Sequence, residues 1–165
     1  MTNHLFKSSF IFIIPFLFLI SSLRAQDTSQ NKSQRSFSSF GFQASWVAGT
    51  GITYCYTSND FRYRVTGGWI KLEKESEYTY GFDVHYYLAN APGFNIFLGP
   101  SFGVYGSSKE DTKNRLALAT CIETPFMTKE KRNNLCGGFI LYYPTYYFTS
   151  GTLNPSAGLY VLYNF

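Results

Sequence analysis

Arg62, Arg64, Asp83 and His85 are the side chains whose types and spacing could do chemistry. Each pair is separated by one residue. In an extended chain the side chains alternate between faces, so the two arginines share one face, and Asp83 shares one with His85. The connection between the two segments is short, and antiparallel pairing then brings Arg64 opposite or diagonal to Asp83. Such a cluster could serve as a gate or an ion-selective constriction. It could equally be a salt-bridge network, because charges removed from water must be paired. The structural network is the expected role for all four residues.

Catalysis needs more than this cluster. A nucleophile must have a base in reach, and His85 is the one histidine outside the first residues of the chain. It is flanked by Tyr86 and Tyr87, with no serine in reach along its strand. No His, Cys and Asp spacing suggests a metal centre, and no glycine-rich loop leads into a helix. The expectation is a protein that is not an enzyme, with no catalytic residues, metal or cofactor. Three cysteines, Cys55, Cys121 and Cys136, cannot form a fully paired framework. The polar stretch from Thr128 to Asn134 lies nearly midway between Cys121 and Cys136. A simple hairpin about that centre sets the two across from each other, so a disulfide is expected there, with Cys55 left as a free thiol.

The elements that must position these residues are strands. The chain holds 17 Phe and 14 Tyr among 165 residues, and aromatic residues favour strands. Alternation of period two recurs throughout. Phe61, Tyr63, Val65, Gly67 and Trp69 fall on one face, with Arg62, Arg64, Thr66 and Gly68 on the other. Tyr78, Tyr80, Phe82, Val84, Tyr86 and Leu88 likewise oppose Glu77, Thr79, Gly81, Asp83 and His85. Leu116, Leu118 and Ile122 oppose Ala117, Ala119, Cys121 and Glu123. One face is large and apolar on every strand, while the other is small or charged. A soluble barrel would put its large apolar residues inside. Turning them outward to lipid leaves the small and charged face to fill a narrow lumen, which accounts for both faces at once.

The first 35 residues stand apart. Lys7 precedes an eleven-residue apolar block from Phe10 to Ile20, and small residues ending at Ala25 follow. This is the layout of a secretory signal peptide, expected over 1–25; the block is too short to span a bilayer as a helix. Residues 26–35 offer nothing apolar to bury and read as a flexible polar spacer. Removing Lys7 and Arg24 with the signal leaves 12 basic and 10 acidic residues. That balance gives no footing for a nucleic-acid partner.

Over 36–165 we expect one domain of eight strands: Phe40 to Trp46, Gly51 to Thr57, Phe61 to Ile70, Glu77 to Ala89, Phe94 to Gly106, Arg115 to Thr124, Leu135 to Thr149 and Ser156 to Phe165. The parity runs unbroken through Ala48-Gly49-Thr50-Gly51, so a tight turn is needed there to make the count even. Pro100 and Pro144 lie inside expected strands, where each removes a ladder hydrogen bond; bulges or strand ends are expected at both. The resulting fold class is all-β, a closed antiparallel up-and-down transmembrane barrel of about eight strands.

The closing segment, Leu159-Tyr160-Val161-Leu162-Tyr163-Asn164-Phe165, resembles the last strand of the small eight-stranded, porin-like outer-membrane barrels, whose terminal aromatic is read by the assembly machinery. Tyr163 and Phe165 carry that resemblance, and the strand patterns around Tyr54 and Tyr80 add to it. The glycine often found five residues before the terminal aromatic is replaced by Tyr160. The resemblance implies an outer-membrane location, with outer-membrane lipids, periplasmic chaperones and the barrel-assembly machinery as partners; it implies no single activity. The expected function is structural, lipid-interacting or small-solute, and non-enzymatic. A soluble periplasmic barrel of lipocalin type holding a small apolar ligand is the alternative. A lipid A-modifying enzyme is weaker still, because the His-x-Ser pattern of the deacylase barrels is missing. If Phe165 is an assembly signal, its deletion should lower the membrane-fraction level more than deleting several residues of the 26–35 spacer.

Overall fold

The computed structural model describes residues 36–71, 75–91, 93–109, 111–128 and 131–165. The expected signal peptide and spacer lie outside the described residues. Eight strands follow one another: β1 (Ser36–Ser45), β2 (Thr50–Ser58), β3 (Phe61–Lys71), β4 (Ser76–Ala91), β5 (Phe94–Ser107), β6 (Lys113–Thr128), β7 (Lys131–Tyr147) and β8 (Thr152–Asn164). Each pairs antiparallel with its sequence neighbours, and β8 pairs with β1, so the sheet closes into an up-and-down barrel. Closure removes every free strand edge, which an open sheet would expose. The first hairpin is indeed two strands, with Ala44 opposite Thr50.

Connections differ between the two ends. On the side of the strand termini Ser36 and Asn164, the links are two residues long: 59–60, 92–93 and 129–130. Asn59 adopts φ 52°, the left-handed region that Asn tolerates better than most residues. The other end carries the longer links 46–49, 72–75, 108–112 and 148–151.

The two faces sort as the alternation requires. Phe42, Ile52, Val65, Tyr80, Phe82, Leu118, Leu141, Leu159 and Val161 are exposed on the outer wall. Along β3 the outward positions carry one charge, Lys71, at the very end of the strand. Arg62, Arg64, Asp83 and Glu123 are instead buried in the lumen, alongside Thr53, Thr66, Ser101 and Thr145. The outer wall is thus apolar, while the interior is mixed: the buried charges share it with Phe97, Ile140, Tyr142, Tyr160, Leu162 and small residues such as Ala119 and Cys121. A wall this apolar is not the surface of an ordinary soluble domain.

The prolines behave differently from each other. Pro144 lies in a register shift between Tyr142 and Thr145, so the expected bulge is present. Pro100 produces neither a bulge nor a strand end: Gly99, Pro100 and Ser101 pair in unbroken register with Ala119, Leu118 and Ala117. On its other side, Ser101 and Leu98 keep one register with Asp83 and Tyr86, and Pro100 falls where that ladder skips. A proline needs only its own missing donor to be left out, and a skipped rung suffices.

Candidate functional site

The lumen is the site. β3 and β4 pair with Arg64 directly opposite Asp83 and Arg62 directly opposite His85, as the short connection requires. Arg64 Nε donates to Asp83 Oδ2 at 2.6 Å, with both side chains fully buried. The other carboxylate oxygen, Oδ1, accepts from Ser101 Oγ on β5. Tyr160 of β8 places its ring 4.8 Å from the Arg64 guanidinium carbon, a cation–π contact. Arg64 Nη2 lies 4.0 Å from Cys121 Sγ, while Nη1 has no hydrogen-bond partner.

Arg62 does not join that pair. It reaches across the lumen to Glu123 of β6 in a two-pronged ion pair, Nη1 to Oε2 at 2.6 Å and Nη2 to Oε1 at 3.0 Å. Its Nε donates to Thr57 Oγ1 at 3.3 Å, and its guanidinium carbon stands 3.9 Å from the Phe97 ring centroid. Tyr160 OH donates to Glu123 Oε2 at 3.1 Å, so one tyrosine touches both ion pairs. Bidentate geometry of this kind is among the strongest that an arginine makes.

The expected four-residue network is therefore two ion pairs with one tyrosine between them. Glu123 was visible in the sequence as an inward residue but had no assigned partner; Phe97, Ser101 and Tyr160 were likewise without a role. His85 is buried, and both its ring nitrogens lie 3.7 Å from Cys121 Sγ. Its nearest polar partner is thus a thiol, and the carboxylates are engaged by the arginines. Among the described residues no three His, Cys, Asp or Glu side chains are grouped to hold a metal. This arrangement can neutralise charge and fill space.

The expected disulfide is not formed. Cys121 lies opposite Ile140, and Cys136 lies opposite Pro125; Cys55, Cys121 and Cys136 are all free and buried. Both cysteines of the expected pair do face the lumen, but they are four positions apart in register, about 13 Å along a strand. The polar stretch misled the pairing. β7 already begins at Lys131, only 129–130 remain as the connection, and a register shift between Pro125 and Met127 moves the strands further. Labelling the unreduced, denatured protein with a maleimide should therefore modify three thiols; two protected cysteines would show a bond that this register forbids.

Tyr163 and Phe165 sit on the outer wall at the terminus end. Tyr163 pairs with Phe40 of β1 and Leu135 of β7, and the Phe165 amide donates to the Ser38 carbonyl at 2.9 Å. The segment that carries the sequence resemblance is thus the strand that closes the ring.

The class defined by fold and site is a closed eight-stranded antiparallel barrel with an apolar wall and a lumen in which two buried ion pairs are packed among apolar and small side chains. Comparison of the chain with protein-family models, curated proteins and solved structures finds no match.

Proposed function

We propose that the chain is a non-enzymatic outer-membrane barrel with a structural, lipid-interacting or small-solute role. The observation that carries this reading is the outer wall. Along β3, the outward residues from Phe61 to Trp69 form an apolar row with no charge. At about 3.3 Å per residue and a tilt of about 40°, that row alone spans roughly 20 Å of height. Aromatic residues crowd both ends of the band. Tyr56, Tyr63 and Tyr163 lie toward the termini, and Trp46, Trp69, Tyr146 and Phe148 toward the longer links. Tyr54 and Tyr56 turn their hydroxyls to Ser38 and Ser36 at 2.9 and 3.0 Å, as an interfacial girdle does. In water this wall would be a very large apolar patch, whereas in lipid it is ordinary surface. Of the tyrosines in the 142–147 stretch, Tyr143 and Tyr146 are exposed on the wall and suit such a girdle better than a sugar platform, whereas Tyr142 is buried inside the barrel and belongs to neither.

Outer-membrane lipids are then the wall's solvent, and chaperones with the assembly machinery are the partners that deliver it there. The lumen supports a scaffold more than a carrier. Its four buried charges are mutually engaged and packed against side chains such as Phe97 and Tyr160, and an apolar ligand of the lipocalin kind would have to displace them.

Cell fractionation followed by a heat-modifiability gel tests the reading. The protein should appear in the outer-membrane fraction, migrate faster unboiled than boiled, and need detergent to stay folded. A mature protein that remains monomeric and folded in plain buffer would overturn it in favour of the soluble barrel. A new acylation pattern in the lipids of expressing cells would overturn its non-enzymatic half.

A further inference from the structure

The link between β1 and β2 is built unlike a solvent-facing loop. Trp46 stays on the outer wall, 68% exposed, but Val47 and Ala48 turn into the barrel mouth at 2% and 0%. They cross toward the wall made by β4, β5 and β6. Gly81 of β4 and Gly103 of β5 lack side chains where the loop arrives. A Cβ at Gly81 would collide with the Ala48 carbonyl oxygen, and one at Gly103 with the Val47 carbonyl oxygen. Glycine inside a strand weakens it and is explained by a close backbone approach; here two neighbouring strands make that concession to the same loop.

The backbone of the loop is also tied down. From β6, Arg115 Nη1 donates to the Trp46 carbonyl, while its guanidinium carbon stands 5.5 and 5.3 Å from the Tyr105 and Tyr147 ring centroids. The Trp46 amide donates to the Ala157 carbonyl of β8 at 3.3 Å, and the Ser45 amide to the Gly49 carbonyl at 3.2 Å. Gly49 takes φ +83°, which brings the chain over Thr79. Thr79 Oγ1 accepts from the Thr50 amide at 3.0 Å and donates to the Thr50 carbonyl at 2.8 Å. Buried backbone groups need such partners, and β1, β4, β6 and β8 supply them on both sides of the inserted Val47 and Ala48.

We propose that the Trp46–Gly49 segment is a built-in plug that seals the longer-link end of the lumen against ions and small solutes, with Gly81 and Gly103 as its socket and Arg115 as its latch. An eight-stranded interior is only wide enough for side chains, so one inserted loop suffices to stop the mouth. The plug removes solute passage from the roles left open above and places the protein's work on its wall and its external links. This consequence rests on the membrane reading, but the seating of the plug does not.

The test uses the full mature protein and two variants. Gly103→Leu puts a side chain into the socket. Arg115→Ala removes the latch without adding bulk, and keeps the question open if the leucine variant does not fold. Heat modifiability confirms barrel closure in each. Amide hydrogen exchange in detergent then reads the plug: the hydrogen-bonded amides of Ser45, Trp46 and Thr50 should exchange slowly in the wild type and at least about tenfold faster in Gly103→Leu, with a smaller gain in Arg115→Ala. Planar lipid bilayers read the seal: the wild type should be silent in potassium chloride, and Gly103→Leu should show discrete conductance steps. Wild-type conductance equal to that of the variant would overturn the proposal, as would slow exchange in a closed Gly103→Leu barrel. Fast exchange without conductance would also overturn it, because the seal would then be the ion-pair layers. Failure to enter bilayers at all would defeat the membrane reading, while the exchange contrast would still judge the plug.

Discussion

Arg64→Leu is expected to destabilise the barrel by about 3–5 kcal/mol, and Asp83→Leu by a similar amount, while the double replacement should cost clearly less than their sum. The reason lies in what each single change leaves behind. Arg64 and Asp83 are both 0% exposed, so neither can recover water when its partner is lost. Without Arg64, Asp83 keeps only the Ser101 hydroxyl on Oδ1, and Oδ2 becomes a bare acceptor in a closed lumen. Without Asp83, Arg64 retains a distant thiol and the Tyr160 ring, neither of which balances its charge. Two leucines in place of both remove the charge and the desolvation penalty together. A double-mutant cycle by denaturant unfolding in detergent measures the coupling. A coupling near zero would mean that the two side chains do not meet. The Arg62–Glu123 pair should behave alike, with Tyr160 linking the two cycles, because its ring serves one pair and its hydroxyl the other.

The contrast between these two ion pairs marks how far the sequence could be read. Arg64 opposite Asp83 follows from alternation plus a short connection, since both are properties of one hairpin. Arg62 with Glu123 joins β3 to β6, strands that never pair. Which inward residues meet across the lumen depends on strand tilt and stagger around the closed ring, and neither is written in any local pattern. Glu123 could be read as inward, but not as opposite Arg62. Register beyond a hairpin's turn was equally hard. Cys121 and Cys136 have the expected facing, yet a bulge and a shorter turn shift them past each other. The plug escaped altogether: Val47 and Ala48 are small apolar residues next to Gly49, with nothing to distinguish an inserted loop from a surface turn. The one available signal was the pair of glycines, Gly81 and Gly103, at inward positions of two long strands.

Phe82→Arg should cost about 2–4 kcal/mol in a bilayer, whereas Leu153→Arg should cost about 0–1 kcal/mol. Both side chains point outward, Phe82 at 46% and Leu153 at 53% exposed, so exposure alone predicts the same effect for each. Depth separates them. Phe82 pairs with Val65 on one side and Phe102 on the other, in the middle of the apolar wall. Leu153 is the second residue of β8, beside the 148–151 link, where an arginine can extend to the headgroups. In a soluble barrel neither change would bury a charge, and both would fall within about 0.5 kcal/mol of the parent. Folding titrations into lipid vesicles give the two values directly. A depth-dependent penalty is the signature of a wall solvated by lipid, and equal small effects at both sites would mean that water, not lipid, covers Phe82.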